Sequence, residues 1–218
     1  MTSRHDHDTA GYWETTGAAC TFTHEPDPGL LARWLDPGDR ILDYGCGYGR
    51  LLARLTELGY RDVQGVEPSA ALIARAARSH PGLRITRLTS LPLPFPDGSF
   101  DAALLFAVLT SVADPAAREE TMAELSRLLR PGGVLYLSDV PLQSDELSLD
   151  RYRRAAAGPY GTFRTEDGGV FVHQPPEAFQ ELLARHGFTE LVRQQDTTPA
   201  LHGGTTTRVQ FIARRREG

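Results

Sequence analysis

The stretch Ile41-Leu42-Asp43-Tyr44-Gly45-Cys46-Gly47-Tyr48-Gly49-Arg50 decides the fold. A short apolar run ends in a loop with glycine at alternate positions, and residues 50–58 follow at helical spacing up to Gly59. Glycine lets a backbone come close to a ligand and takes positive φ without strain. The helix N-terminus behind such a loop favours a negative group, a carboxylate or a phosphate. A second strand, Val63 to Val66, is closed by Glu67, the place where an acid can chelate ribose hydroxyls. Singly, Gly49 also suits a tight turn, Asp43 a turn or helix cap, and Glu67 a cap for the helix after Pro68. Together they point to a nucleoside-bearing ligand at the strand ends. The dinucleotide fingerprint G-x-G-x-x-G requires glycine at position 50, where Arg50 stands, so a nicotinamide enzyme is disfavoured.

The pattern repeats outward from that loop. Pro26 to Leu35 reads as a short helix before the first strand. Ser69 can cap a helix that stops at His80-Pro81-Gly82, and Leu83 to Leu88 forms a third strand. Leu91 to Gly98 is too proline-rich to be regular. Phe100 to Phe106 is continuously apolar, as a strand buried on both faces must be. Asp114-Pro115 starts a helix that runs to Leu129, Pro131-Gly132-Gly133 stops it, and Val134 to Val140 is the fifth strand. Strands alternating with helices predict an α/β fold, a doubly wound and mostly parallel sheet. Gln143 to Gln174 is long, polar and glycine-bearing and reads as an insert or lid. After a helix at Pro176 to His186, Phe188 to Gln195 and Thr206 to Arg214 alternate like an antiparallel pair at the sheet's edge. The expected organisation is an N-terminal cap segment, 1–24, and one domain, 25–218, carrying a lid at 141–175.

Composition bounds the chemistry. The chain has 218 residues, and all 23 of its basic residues are arginine. Without lysine there is no Schiff base, no pyridoxal-phosphate attachment and no phosphate-loop lysine. A formal charge of −5 argues against nucleic acid as a partner. Two cysteines make no disulfide scaffold, no apolar run has membrane-spanning length, and the charged first ten residues do not read as a signal peptide. The expectation is a cytoplasmic protein, monomer or homodimer, that touches no membrane. His5-Asp6-His7-Asp8 has metal-ligand residue types but no fixed geometry at a terminus, so no metal is expected.

The chain resembles the class I S-adenosylmethionine (SAM) dependent methyltransferases. Residues 43–49 match that family's D-x-G-x-G-x-G. Leu93-Pro94-Phe95-Pro96-Asp97-Gly98-Ser99-Phe100-Asp101 matches the stretch before its fourth strand, and Leu129-Arg130-Pro131-Gly132-Gly133 the turn before its fifth. The resemblance implies a Rossmann-like sheet of seven strands with the last antiparallel, and SAM as cofactor. It implies that Asp43 and the backbone of Gly45, Cys46, Gly47 and Gly49 hold the methionine part and Glu67 the ribose. Thr89, Ser90 and Leu91 would lie at the adenine, where relatives carry an aspartate that this chain lacks. Phe106 and residues 107–110 would line the sulfonium and the acceptor.

Methyl transfer is an in-line displacement with a neutral leaving group, so the protein must mainly align the reactants and exclude water. Tyr12 and Trp13 offer aromatic faces to a sulfonium, or simply cover the sheet edge. Phe22 and His24 lie in the same segment, one of the places expected to supply the acceptor pocket. Asp139 at the end of the fifth strand, and His173 and Tyr160 in the insert, are the candidate catalytic groups. Each also has a purely structural reading as a turn cap, a hydrogen-bonded strand residue or a packed ring. The one-domain size fits a small-molecule acceptor, with S-adenosylhomocysteine (SAH) as product. The alternatives are a SAM lyase or cyclase on the same fold that releases methylthioadenosine, and a SAM-binding protein without catalysis.

Overall fold

A computed structural model describes residues 11–201 and 204–217. The His5–Asp8 cluster and the first part of the cap segment lie outside the described residues.

The central sheet contains β1 (Arg40–Tyr44), β2 (Asp62–Glu67), β3 (Ile85–Arg87), β4 (Phe100–Phe106), β5 (Leu129–Asp139), β8 (Phe188–Pro199) and β9 (Thr205–Arg215), in the order β3-β2-β1-β4-β5-β9-β8. β1 to β5 pair in parallel, and β9 runs antiparallel to both β5 and β8. The last strand is therefore antiparallel, as the resemblance implied. It is inserted between β5 and β8, so that β8 forms the edge on that side and β3 the opposite one. The pairing of β4 with β5 breaks between Phe100 and Ala102, because Pro131-Gly132-Gly133 leaves the ladder with Gly132 at φ +75°.

Period-two alternation sorts the side chains onto two faces. Ile41, Ala102, Leu104, Phe106, Tyr136 and Ile212 pack under α1 (Pro28–Trp34) and α2 (Arg50–Glu57). Leu42, Ala103, Leu105, Leu135, Leu137 and Phe211 pack under α4 (Pro115–Leu128) and α6 (Pro176–Arg185). The helix starts follow the expected chemistry. Asp27 accepts from Gly29 N at 2.7 Å, Asp114 from Ala116 N at 2.9 Å, and Ser69, before α3 (Ala70–Ser79), from Leu72 N at 3.1 Å.

The insert is more ordered than its composition predicts. Asp145 caps α5 (Glu146–Arg154) through Ser148 N at 2.9 Å, and β6 (Thr162–Arg164) pairs antiparallel with β7 (Val170–Val172). Tyr152, Phe163 and Phe171 form a small core there together with Tyr12 from the N-terminal segment. Among the described residues no helix is long and apolar enough to cross a membrane.

Candidate functional site

The carboxyl ends of β1, β2, β4 and β5 converge on the glycine loop. Gly45, Gly47 and Gly49 stand at φ +73°, +57° and +79°. Gly45 N and Cys46 N both donate to Val66 O, at 2.9 and 3.0 Å, which pins the loop to the end of β2. A Cβ on Gly45 would sit 2.6 Å from Val108 Cγ2 in the segment after β4, so loop and segment touch backbone to side chain. Cys46 turns its sulfur against Gly65 and is buried, with its thiol pushed up by burial. Only its backbone belongs to the loop surface.

Two buried carboxyl groups flank this loop. Glu67 Oε2 accepts from Gly47 N at 2.9 Å and its Oε1 from Ser69 N at 2.8 Å. Burial pushes it up to about 7 against those two N–H groups. A carboxylate offers about four lone-pair sites, so two remain for a ligand's hydroxyls. Asp43 is 1% exposed, and its Oδ2 has no hydrogen-bond partner among the described residues. Burial pushes it up to about 7 as well, although the Arg50 charge pulls the other way. A fully buried carboxyl oxygen left without a partner is expensive unless something else supplies one.

A strap from the N-terminal segment covers the loop. Phe22 lies on Gly47, where a Cβ would come 3.0 Å from the ring's Cδ2 and closer still to Cε2. Trp13 packs edge-on against Phe22, with centroids 5.7 Å apart. Ser69 Oγ donates to Trp13 O at 2.9 Å, and the Glu14 carboxylate accepts from Ala70 N and Ala71 N, capping α3 from outside. Arg75 donates to Ala18 O and Cys20 O, and Arg50 to Glu25 and His24 O. Phe22 and Arg50 thus complete the site; Phe22 was expected in the acceptor pocket, whereas Arg50 did not stand among the expected ligand residues. The position of Arg50 directly after Gly49 was the available signal.

The other expected residues fall in several places. Trp13 is in the strap, and Tyr12 lies one layer further out, against Phe171, with its hydroxyl donating to Asp167 at 3.0 Å. Thr89 and Ser90 are exposed just beyond β3, and Leu91 packs half-buried on the core. Phe106 ends β4 with its ring edge-on to Tyr136 at 4.8 Å.

The three candidate catalytic groups share no hydrogen bond with one another among the described residues. Asp139 is fully buried, and both oxygens serve backbone N–H groups. Its Oδ2 accepts from Leu109 N at 2.9 Å and Thr110 N at 3.3 Å, and its Oδ1 from Val140 N at 2.7 Å. It clamps the turn after β4 to the end of β5, beside Ala107 at φ +54°. Burial pushes it up to about 7. His173 lies in the insert's core. Tyr152 OH accepts from Gln143 N at 3.0 Å and shares a hydrogen bond with His173 Nδ1 at 2.7 Å. Burial holds that imidazole down to about 3, so it is neutral. Tyr160 is exposed, edge-on to Tyr152.

A glycine loop at positive φ, a carboxylate with spare lone pairs and an orphaned buried carboxyl oxygen fit a cationic, ribose-bearing ligand. The comparisons with known proteins agree. A sequence profile described as "Methyltransferase domain" matches residues 17–194. The ribosomal protein L11 methyltransferase of Ralstonia nicotianae is 32% identical over 161 residues, 72% of this chain and 51% of that protein. The demethylmenaquinone methyltransferase of Beutenbergia cavernae is 32% identical over 143 residues, 61% of this chain and 58% of that protein. A SAM-dependent methyltransferase of known structure from Methanosarcina mazei superposes with a TM-score of 0.81 at 28% identity, covering 89% of this chain and all of its own. The chain belongs to the methyltransferase-domain family, in the class that uses SAM. It spans about half the length of the ribosomal protein methyltransferase it matches.

Proposed function

We propose that this protein transfers the methyl group of SAM to a small-molecule acceptor, leaving SAH. The observation that carries the reading is the Asp43–glycine loop–Glu67 constellation, with one carboxyl oxygen orphaned and one carboxylate half used. SAM, when bound, supplies a methyl group on a positively charged sulfur. Glu67 orients the ribose through its remaining lone pairs. Asp43 offers the methionine end a buried negative charge. Thr89, Ser90 and Leu91 flank the adenine. Phe106 and the turn after β4, held by Asp139, make the wall on the acceptor side, so Asp139 acts as a positioning residue. The strap within residues 1–24, with Phe22 and Trp13, and the insert at 141–175, ordered by the Tyr152–His173 bond, exclude water. Water exclusion strengthens every charge interaction inside the site.

Incubation with SAM alone, then with a library of small acceptors, tests the reading by the nucleoside released. SAH formed only when a small acceptor is present supports it. Methylthioadenosine formed without acceptor would replace methyl transfer by lysis or cyclisation, and SAH formed only with a protein acceptor would replace the acceptor class. Glu67→Gln keeps the side-chain shape and removes the charge. It is expected to weaken SAM binding about tenfold, the difference of about 1.4 kcal/mol between a charge-assisted and a neutral hydrogen bond. Calorimetric titration of a variant with wild-type circular dichroism measures this, and equal affinity would take Glu67 out of the site.

A further inference from the structure

His24 stands apart from every group assigned above. It is 7% exposed, and its Nδ1 lies 3.4 Å from Ser138 Oγ. Its Nε2 makes no hydrogen bond among the described residues. The backbone on either side is fixed: Arg50 holds His24 O, Arg208 holds Glu25 O, and Thr198 Oγ1 donates to Thr23 O at 3.3 Å. The ring is therefore presented rather than loosely packed. Ser138 pairs in register with Phe106 on β4 and Gln210 on β9, and Ala107 N donates to Ser138 O at 2.7 Å. The imidazole thus lies at the carboxyl end of β5, against the residue whose carbonyl holds Ala107 N and two strands from Asp43. Arg50 ties the two places together, bonding His24 O while its charge reaches Asp43.

We propose that His24 Nε2 is the hydrogen-bonding contact for the methyl acceptor's own hydroxyl or neutral nitrogen, which makes His24 a specificity-determining residue. The inference rests on the methyltransferase reading above and adds the acceptor's chemistry to it. The charged groups that face the ring are Arg50 from α2, Arg208 from β9 and Asp196 from β8. Burial and the two guanidinium groups keep the imidazole neutral, down to about 4. A neutral imidazole paired at Nδ1 can donate or accept at Nε2, according to tautomer. A hydroxyl or a neutral azole nitrogen matches either form. An ammonium group matches only one, and it would face two arginines. With Phe22 two residues before His24 and Phe106 in register with Ser138, the fitting acceptors are compact phenols and azoles.

The test uses the full chain saturated with SAH, its histidines labelled with ¹⁵N, and phenol and benzimidazole as probes. A saturable shift of the His24 Nε2 signal, with His173 unmoved, is expected for at least one probe. His24→Phe keeps the backbone oxygen that Arg50 holds and removes the ring nitrogen. It should bind that probe at least fivefold more weakly, while SAH affinity stays at the wild-type value. His24→Gln should restore part of the loss, and Ser138→Ala, which frees the ring without removing it, should weaken the probe too. The inference is overturned if neither probe moves the His24 signal, or if His24→Phe binds the probe as wild type does. If wild-type protein fails to bind SAH, the methyltransferase reading falls first and takes this inference with it.

Discussion

Asp43→Asn is expected to raise the melting temperature measured without SAM while removing most of the affinity for SAM. The folded-state pKa of Asp43, about 7, lies above its ordinary value of 3.8. The folded protein therefore holds a proton that the unfolded chain releases between those two values, and stability falls as pH rises through that window. At pH 8 the buried carboxylate is a net cost, and the neutral amide removes it. The expected gain is about 1–2 kcal/mol, or about 2–8 °C for a chain of this size. Glu67 and Asp139, each also raised to about 7, add to the same slope, so wild-type protein should melt higher at pH 6 than at pH 8. The difference should shrink in Asp43→Asn. Binding shows the opposite sign. A cationic ligand that needs the ionised carboxylate loses a charge-assisted contact of about 1.5–3 kcal/mol, which is about 10- to 100-fold in affinity. Thermal scans at the two pH values and a SAM titration at pH 8 measure both effects. A variant that melts lower and binds SAM as wild type does would show Asp43 to be structural.

The parts of the molecule that were legible in its sequence are those made by near neighbours. The alternate glycines, Asp27 and Asp114 before Pro28 and Pro115, and Ser69 before α3 act on groups two to four residues away, so spacing alone exposes them. The contacts that hold the strap were not legible for the converse reason. Glu14 caps a helix 56 residues further on, and Arg208 reaches Glu25 across the whole chain. No period in the sequence records such pairs. The insert lies between these cases. Asp145 and Asp167-Gly168-Gly169 carry ordinary cap and turn chemistry, but the length and polarity of the segment masked it. Asp139 shows a different limit. Its place at a strand end was readable, whereas the commitment of both oxygens to Leu109, Thr110 and Val140 depends on a turn formed 30 residues earlier. A carboxylate at the mouth of a parallel sheet is as able to build the wall as to do proton chemistry, and only its partners decide which.

Gly47→Ala is expected to damage the protein through its backbone and through the Phe22 ring at once. The residue sits at φ +57°, where an L side chain costs about 1–2 kcal/mol. The new Cβ would also enter the Phe22 ring, and overpacking of this kind costs a further 1–3 kcal/mol or so. Together they give about 2–5 kcal/mol of lost stability. Neither relaxation is free. Turning the loop breaks the Gly47 N–Glu67 bond, and lifting the ring pulls on a strap that Arg50, Arg75, Ser69 and Glu14 hold down. The two causes can be separated. With Phe22→Ala as background the ring is gone, so Gly47→Ala should cost only the backbone term, about 1–2 kcal/mol, and the cycle should show a coupling of about 1 kcal/mol or more. Urea denaturation of the four proteins gives the cycle. A full cost that persists without the ring would mean that the strap does not rest on the loop, and the water-excluding roof assigned to Phe22 would have to be sought elsewhere. A coupling of the expected size would fix the roof to the cradle through one pair of residues, so that whatever opens the strap also reshapes the surface on which the methionine end is held.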